Sequence, residues 1–232
     1  MIIHWDCLEE MKSIADWSID MILCDLPYWT TACKWDTVIP FEPLWEQYKR
    51  IIKDNWAIVL TASQPFTSAL VMSNPKMFKY SWIWDKKIPS WMSYARYQPM
   101  RQHEDIAVFC NTKTIYNAQM IKRDKPIKWW WIKNSDSAMT NWYKALKKTY
   151  NYKNPTTIIQ FDKIRRWSLH PTQKPVALFE YLIKTYTNEW DLVLDNAAGS
   201  WTTWVACQNL NRNFILIEKE QEYIDIIKQR LN

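Results

Sequence analysis

The chain has 232 residues, a formal net charge of +6, 48% hydrophobic residues and 23% charged residues. This composition is typical of a globular protein and excludes wholesale disorder, and no apolar run reaches the roughly 18 residues of a membrane-spanning helix. Its five cysteines are scattered without a CxxC pair. They indicate neither a zinc site nor a disulfide scaffold, so we expect no metal and reduced thiols in a cytoplasmic protein.

Apolar runs of strand length alternate with stretches of helical length in both terminal parts of the chain. In the first part, we predict a helix at 8–16, a strand at 19–24, a helix at 43–53, a strand at 57–62, a helix at 66–72 and strands at 79–84 and 105–110. In the last part, we predict a helix at 175–187, a strand at 192–195, a helix at 202–210, a strand at 213–217 and a helix at 220–231. This alternation predicts an α/β fold with a mostly parallel, doubly wound sheet.

Residues 111–167 interrupt the alternation with a basic segment rich in Asn, Thr, Lys and Tyr. The segment contains 13 Lys and Arg against 3 Asp, an excess of +10 that is larger than the net charge of the whole chain. The remainder is therefore slightly acidic. We predict three regions: 1–110, an inserted basic region at 111–167, and 168–232.

The tryptophan and glycine contents are anomalous, with 17 Trp and a single Gly. Several Trp stand where a turn favours Gly, as in Asn55-Trp56, where Asn-Gly would make a helix stop. UGA encodes Gly in some bacterial lineages and Trp in others, so we hypothesise that UGA codons for Gly are written here as Trp. The positions concerned are Trp5, Trp17, Trp29, Trp56, Trp91, Trp129, Trp130, Trp131, Trp142, Trp167, Trp190, Trp201 and Trp204. The exchange would change Gly from 1 to 14 and Trp from 17 to 4, both ordinary contents.

An acid, a proline and an aromatic residue follow the predicted strand at 19–24. They are Asp25, Leu26, Pro27 and Tyr28. Ligands in open α/β sheets bind at the carboxyl ends of strands, where this tetrapeptide lies. Pro27 restricts its own backbone and that of Leu26, so a carbonyl oxygen can be presented rigidly beside the Asp25 carboxylate. Together they can accept both protons of an exocyclic amino group, and Tyr28 offers a face on which a base can stack. A strand-end Asp that caps a turn, with Tyr in the core, is the structural alternative.

A loop of small residues joins the strand at 192–195 to the helix at 202–210. Read with Gly at positions 201 and 204, the loop is DNAAGSGTTG. Small residues let a ligand approach the backbone, and a helix N-terminus favours a carboxylate. Glu218 ends the next predicted strand, where an acid can bind two ribose hydroxyls. This arrangement predicts a nucleoside-containing cofactor, with a generic βαβ crossover as the alternative.

Three motifs in this order resemble the amino-group DNA methyltransferases of the β group: DLPY at 25–28, HPTQKP at 170–175 and DNAAGSWTT at 195–203. The opening segment HWDCL at 4–8, read as HGDCL, is similar to the family segment that contacts the adenine of the cofactor. The resemblance covers roughly 150 residues at the two ends of the chain. Leu26 departs from the first Pro of DPPY, and Ala197 stands where an aromatic residue is common.

The resemblance implies a Rossmann-like, S-adenosylmethionine-dependent methyltransferase fold with an inserted target-recognition region. The implied activity is methyl transfer to the N6 amino group of adenine in double-stranded DNA, in a bacterial or phage-infected cell. The implied catalytic residues are Asp25, Leu26, Pro27 and Tyr28. The implied cofactor-binding residues are Asp6, Cys7, Lys174, Asp195, Asn196, Ala197, Gly199, Ser200, Thr202, Thr203 and Glu218.

Within these assignments, Asp6 and Glu218 would hold the nucleoside, whereas Lys174, Ser200 and Thr202 would hold the methionine end. The expected DNA-binding residues are Lys122, Arg123, Lys128, Lys147, Lys148, Arg165 and Arg166, for which a solvated basic face is the alternative. Indoles at Trp29 and Trp201 would lie beside the base and the cofactor. The functional assignment therefore concerns the protein with Gly at these positions.

Other functions remain open at this point. The alternatives are an N4-cytosine DNA methyltransferase, an RNA or protein-glutamine methyltransferase, and a DNA-binding homologue without catalysis. A separately encoded restriction endonuclease is a further expected partner. The sequence decides neither the recognition site nor the oligomeric state.

Overall fold

An eight-stranded mixed sheet forms the centre of the main unit of the protein. The computed structural model describes residues 1–28, 37–90, 92–131, 146–164, 173–199 and 201–225. At residues 94, 129–131, 146 and 147 it describes the backbone only. The strands are β1 Ile2–His4, β2 Ile19–Cys24, β3 Ile52–Ala62, β4 Phe78–Ser90, β5 Arg101–Phe109, β6 Ile121–Trp131, β7 Leu146–Lys153, β8 Ile158–Gln160, β9 Leu192–Asp195 and β10 Asn213–Glu218. The α-helices are α1 Cys7–Met11, α2 Phe41–Ile51, α3 Phe66–Ser73, α4 Val176–Tyr186 and α5 Thr202–Asn209.

The strand order in the main sheet is β1-β10-β9-β2-β3-β5-β4-β8. The five strands from β1 to β3 are parallel to one another, whereas β5 runs antiparallel to both of its neighbours. The order of the chain reverses between β9 and β2, since β3 follows on one side and β10 on the other. The mostly parallel, doubly wound α/β architecture predicted from the sequence is thereby confirmed.

Alternate residues of the central strand β2 point into two different apolar layers. Ile22 and Cys24 pack with α1, α2 and α3, whereas Met21 and Leu23 pack with α4 and α5. All four side chains are fully buried, which explains why β2 is apolar apart from Asp20. Within the part of the chain that the structure describes, no helix has the length and apolar character to cross a membrane.

The predicted helices and strands are present with shifted bounds, whereas β1, β6, β7 and β8 have no counterpart among the predicted elements. Helix α1 ends at Met11, five residues before the predicted end, because Arg50 donates to the carbonyl oxygens of Met11 (2.6 Å) and Ile14 (2.7 Å). The predicted helix stop at Trp56 is wrong: α2 already ends at Ile51, and Asn55 rather than Trp56 has a positive φ, of 65°. Residues 221–225 are helical, and the remainder of the predicted last helix lies outside the described residues.

Residues 118–156 form a second unit, in which β6 pairs with β7 in antiparallel register. This unit is shorter than the predicted inserted region of 111–167. Asn117 belongs to the main unit, where its N–H donates to the Thr185 carbonyl at 2.7 Å. Strand β8 pairs with β4 and so belongs to the main sheet as well. Hydrogen bonding to α4 and β4 therefore keeps Asn117 and β8 with the main unit, and the extent of the inserted target-recognition region stays a prediction.

Candidate active site

A cavity of about 700 Å³ opens at the carboxyl ends of β2 and β9, where the order of the strands reverses. Residues 25–28 line it after β2, and residues 195–199 line it from the turn that ends β9. Thr202 and Thr203 of α5 also line it, as does Glu218 at the end of β10. The two motifs that are remote in sequence thus share one cavity, whose volume suits a small-molecule ligand.

The Asp25 carboxylate is held by three donors from different parts of the chain. Its Oδ1 accepts from the Tyr28 hydroxyl, the Thr61 hydroxyl and Lys174 Nζ, the last at 2.8 Å. Among the described residues, Oδ2 accepts from Lys174 alone, at 2.6 Å. About a quarter (24%) of the Asp25 side chain stays exposed in the cavity. Oδ2 is therefore the oxygen with capacity to accept a further hydrogen bond.

Lys174 lies closer to the predicted catalytic group than to the predicted cofactor loop. Burial by itself would lower the pKa of Lys174, but the carboxylates of Asp25 and Glu104 outweigh it and raise that pKa above its ordinary value. The ammonium group therefore stays charged beside Asp25. The main chain of Lys174 does reach the cofactor loop, because its carbonyl accepts from the Thr202 hydroxyl at 3.0 Å. The Lys174 ammonium, which was expected at the methionine end of the cofactor, thus bonds Asp25 in this structure.

Three residues of this site were missed by sequence reasoning. Glu104 lies 3.6 Å from Lys174, and Lys86 lies 3.1 Å from the other Glu104 oxygen. Thr61, near the end of β3, is fully buried against Asp25 and Tyr28. None of them stands in a recognisable motif, and only the packing of β3, β4 and β5 beside β2 brings them to the cavity. Glu104 lies in the polar first half of β5, beside Asp105, where the sequence offers no signal that distinguishes it.

Tyr28 is a donor to Asp25 and a wall of the cavity. Burial first, then the Asp25 charge, raises the pKa of the Tyr28 hydroxyl well above its ordinary value, so the group remains protonated. The ring lies 5.2 Å from the Phe66 ring and 5.4 Å from Lys174 Nζ. Leu26 points into the apolar core with 3% of its surface exposed, and Pro27 lines the cavity. A role for Leu26 is thus confined to its main chain.

Asp195 braces the turn after β9. Its Oδ1 accepts from the Ala197 N–H at 3.2 Å, and its Oδ2 accepts from the Thr203 hydroxyl. Burial raises the pKa of Asp195 from 3.8 to about 7, against the opposing effect of these two hydrogen bonds. Through these two hydrogen bonds, Asp195 shapes the loop by holding its backbone to α5.

The rest of the turn after β9 contains a polar group without a described partner, and its backbone at Gly199 lies close to Glu218. The Asn196 Oδ1 accepts from the Tyr48 hydroxyl at 2.6 Å, whereas its buried Nδ2 has no partner among the described residues. Gly199 has φ 48°, and its N–H donates to Glu218 Oε2 at 2.7 Å. Burial raises the pKa of Glu218, partly offset by the N–H groups of Glu220 and Gly199. An orphaned donor and a buried carboxylate in one cavity indicate a polar ligand.

Asp6 and Cys7 complete the cofactor side of the cavity. Asp6 caps α1 through the Leu8 N–H at 2.9 Å, and Lys219 Nζ lies 3.6 Å from its other oxygen. Burial raises the pKa of the Cys7 thiol, so this group remains neutral. All predicted cofactor residues that the structure describes line the cavity. Ser200 and residues 165–172, with Arg165, Arg166 and the first part of HPTQKP, lie outside the described residues.

The second unit carries the described part of the predicted basic surface. Lys122 and Lys128 on β6 and Lys148 on β7 are exposed, and Lys148 Nζ lies 5.3 Å from the Tyr150 ring. Arg123 is half-buried and donates to the Tyr152 carbonyl at 3.2 Å. Lys147 belongs to β7, but its side chain lies outside the described set. Within this unit, the cations are therefore available for phosphate contacts.

Comparison with known proteins gives a match over almost the whole chain. Residues 19–229 match the N6/N4 methyltransferase family model, described as DNA methylase. The chain is 27% identical to the Type II methyltransferase M.HpaI of Haemophilus parainfluenzae, over 98% of this chain and 72% of that protein. It is 29% identical to the DNA adenine methyltransferase YhdJ of Escherichia coli, over 100% of this chain and 82% of that protein.

Solved structures share the architecture. The crystal structure of the M1.HpyAVI–SAM complex superposes with a TM-score of 0.66 at 26% identity, covering 99% of this chain and 98% of that chain. The cytosine-N4-specific PvuII DNA methyltransferase superposes with a TM-score of 0.70, covering 100% of this chain and 86% of that chain. At 14% identity, the second likeness shows the fold alone.

Proposed function

The chain belongs to the N6/N4 DNA methylase family, and on that basis we propose that it transfers a methyl group from S-adenosylmethionine to the N6 amino group of adenine in duplex DNA. One observation carries the proposal: the Asp25 carboxylate and the small-residue loop at 195–199 open onto the same cavity. A methyl donor bound by the loop would then lie beside an acceptor held by Asp25.

The choice of adenine rests on the leading acid of DLPY and on the relatives. Cytosine enzymes more often carry Ser at that position, whereas this chain has Asp25. The relative from Escherichia coli is named a DNA adenine methyltransferase. N4-cytosine remains the second candidate, supported by the fold likeness to the PvuII enzyme.

The cavity residues fit the parts of S-adenosylmethionine. Glu218 can accept hydrogen bonds from the two ribose hydroxyls, and Asp6 with Cys7 can border the base. The orphaned Asn196 Nδ2 can donate to an acceptor of the nucleoside. Thr202 with Ser200, at the start of α5, would hold the methionine end, and Gly199 lets the ligand approach the backbone. When bound, the cofactor supplies an electrophilic methyl group on a sulfonium.

Asp25 would act on the amino group of an adenine that has left the helical stack. The lone pair of that nitrogen is delocalised into the ring, so the nitrogen is a weak nucleophile. Oδ2 accepts one amino hydrogen, and a main-chain carbonyl of Leu26 or Pro27 accepts the other. These bonds strengthen as the nitrogen becomes tetrahedral, which stabilises the transition state more than the ground state. Methyl transfer from a bound donor would leave the amino nitrogen with one surplus proton, which Asp25 or water would accept.

The supporting donors preorganise Asp25 for this role. Tyr28, Thr61 and Lys174 fix the carboxylate in one orientation, so no reorganisation is needed when the base arrives. Because all three bind Oδ1, they leave Oδ2 with capacity for the substrate. Tyr28 would also stack against the extruded base.

The experiment is a labelled-methyl transfer assay on duplex DNA, with mapping of the modified base. It is run with the chain as written and with Gly at the thirteen Trp positions named above. N6-methyladenine in the product supports the proposal, and N4-methylcytosine supports the second candidate. DNA binding without transfer by either protein would favour a non-catalytic homologue, and transfer to RNA or protein alone would overturn the assignment.

A separately encoded restriction endonuclease is the proposed partner in the cell. Relatives named Type II methyltransferases support this proposal. Digestion of methylated and unmethylated DNA by the products of neighbouring genes tests it. Cleavage that is blocked by this methylation identifies the partner.

A further inference from the structure

The segment 92–100, between β4 and β5, carries the two most exposed large hydrophobic side chains of the described residues. Tyr97 is 86% exposed and Met92 is 79% exposed. The residues that flank the segment, Ser90 and Arg101, both line the cavity that holds Asp25. Large apolar groups left in water at the edge of an active site indicate a surface that contacts a partner.

The segment has a firmly held base. Ser90 pairs with Arg101 across β4 and β5, and the Arg101 guanidinium donates to the Ser63 hydroxyl and to the Gln64 carbonyl. Residues Met92–Tyr94 form one 3₁₀ turn. The exposed tip is thus presented from a fixed position beside the cavity.

Its charge identifies the class of partner. Residues 92–100 contain one cation, Arg96, and no Asp or Glu, whereas the flanking Lys86 and Lys87 are paired with Glu104 and Asp162. A basic segment with exposed aromatic and thioether side chains is complementary to nucleic acid, which offers phosphates outside and stacked bases inside.

We propose that residues 92–100 enter duplex DNA beside the target and that the Tyr97 ring occupies the space left by the extruded base. This inference rests on the proposed function, because a base must leave the stack to reach Asp25. Apolar side chains of other DNA-bending proteins insert between base steps in the same physical manner. Tyr97 replaces the lost stacking on the neighbouring bases, and Arg96 supplies a cation for the backbone.

The test compares Tyr97→Ala with the unsubstituted protein on two duplexes. In one the target adenine is paired with thymine, and in the other it lies opposite an abasic site, which makes extrusion easier. We expect methyl transfer to the paired target to fall roughly 10- to 100-fold, the range of a lost aromatic–base stack. Transfer to the unpaired target should change less than about 3-fold, and Tyr97→Phe should retain the rate on both.

Met72→Ala is the matched control, since Met72 is 71% exposed on α3 and does not line the cavity. It should leave both rates unchanged. An equal loss by Tyr97→Ala on both duplexes, or no loss on either, would overturn the role of Tyr97. Both proteins carry Gly at the thirteen Trp positions named above, and absence of transfer on both duplexes by the one that keeps Tyr97 would instead refute the proposed function.

A second inference rests on the backbone conformation of three tryptophan residues. Trp17, Trp190 and Trp201 have φ of 54°, 70° and 66°, in the left-handed region that disfavours bulky residues. All three are among the thirteen positions that the composition marked as glycine.

Hydrogen bonding of the indole N–H also distinguishes the tryptophans that would remain Trp from those that would be Gly. Trp45, Trp82 and Trp84, which stay Trp under the hypothesis, donate to Ser73, Tyr186 and Phe161 at 2.7, 2.7 and 2.8 Å. Buried Trp201 and Trp204, which would be Gly, have indole N–H groups without a partner among the described residues. Native proteins rarely bury such a donor unpaired.

We infer that the natural protein has Gly at positions 17, 190 and 201, encoded by UGA. Trp17 and Trp190 are exposed, so their replacement leaves no internal void. Trp17→Gly and Trp190→Gly should each raise the folding equilibrium constant roughly 5- to 30-fold by relief of the left-handed conformation. Trp5→Gly is the control, because Trp5 is 60% exposed but its φ is not positive.

Denaturant titration measures these changes, and the gene sequence provides the second test. UGA at codons 17, 190 and 201, with UGG at 45, 82 and 84, supports the inference. UGG at the first three codons would overturn it, as would an equal response of Trp5→Gly and Trp17→Gly.

Discussion

The two ends of the active-site cavity are built in opposite ways. The transfer end, comprising Asp25, Tyr28, Thr61 and Lys174, consists of side chains that bond one another. The cofactor end, comprising residues 195–199 and Glu218, consists of a tight backbone turn with an orphaned amide. The difference teaches that one end is arranged for chemistry on a fixed carboxylate, while the other leaves polar groups for a ligand. Substitutions should therefore separate turnover from binding.

The largest expected effect lies at the transfer end. Asp25→Ala removes the proposed acceptor of the amino hydrogens, so the single-turnover rate of methyl transfer should fall by about 10³-fold or more, comparable to the loss of a key transition-state hydrogen bond. The dissociation constant of S-adenosylmethionine, measured by calorimetry, should change less than about 3-fold, because Asp25 is not a proposed cofactor ligand. A parallel loss of cofactor affinity would contradict the division between the two ends.

A substitution at the cofactor end should have the opposite effect, lowering cofactor affinity and leaving the transfer rate unchanged. Glu218→Gln keeps the shape of the side chain but removes its charge, so cofactor affinity should drop roughly 10- to 100-fold, as for a hydrogen bond to a charged group. The rate at saturating cofactor should stay near that of the unsubstituted protein. Glu180→Gln, on the exposed side of α4, serves as the control. A loss confined to the saturated rate would place Glu218 in the transfer step instead.

A pH dependence sharpens the structural role of Asp195. The folded protein keeps this carboxyl protonated up to about pH 7, whereas an ordinary Asp releases its proton near 3.8. The unfolded chain therefore binds fewer protons in this window, and the contribution of Asp195 to stability falls as the pH rises. Between pH 5 and pH 8, Asp195→Asn should gain about 2 kcal/mol relative to the unsubstituted protein. Urea titrations at the two pH values measure the gain, and a constant difference would show an ordinary pKa.

The smallest effect is expected outside both ends. Lys148→Gln in the second unit should weaken DNA binding a few-fold and lower the slope of log affinity against log salt by roughly 1. Cofactor affinity and the saturated transfer rate should not change. Lys12→Gln, an exposed lysine of the main unit paired with Glu9, provides the comparison. An unchanged salt slope would remove Lys148 from the phosphate contacts.

Local pattern was sufficient for much of the fold. Strand β2 begins and ends as predicted, because a run of six buried residues, five of them apolar, has few other solutions. Helix α3 begins at Phe66 as predicted and ends at Ser73, one residue after the predicted end. The bounds of α1 and of the second unit could not be predicted, since a distant Arg50 and the pairing of β8 with β4 determine them.

The residues of the candidate site likewise fall into those that motifs predicted and those that only the folded sheet brings together. Asp25, Tyr28 and Glu218 were found from motifs, because their chemistry depends on residue type at strand ends. Glu104 and Thr61 were not, because strands β5 and β3 come beside β2 only in the folded sheet. Lys174 was found from the HPTQKP motif, but the sequence did not indicate that its ammonium group bonds Asp25, since a side chain of this length can reach either end of the cavity.

The sequence by itself determined the α/β class and the family and was sufficient to propose Asp25 as the reacting carboxylate, because these depend on local periodicity and on motifs. Only the tertiary structure decided which oxygen of Asp25 can accept a further bond, what holds its charge and which tryptophans lie in a left-handed backbone. Those properties arise from contacts between groups as much as 149 positions apart, as in the Lys174–Asp25 pair. The sequence alone does not show that two such distant residues lie within hydrogen-bonding distance, because only the folded sheet brings them together.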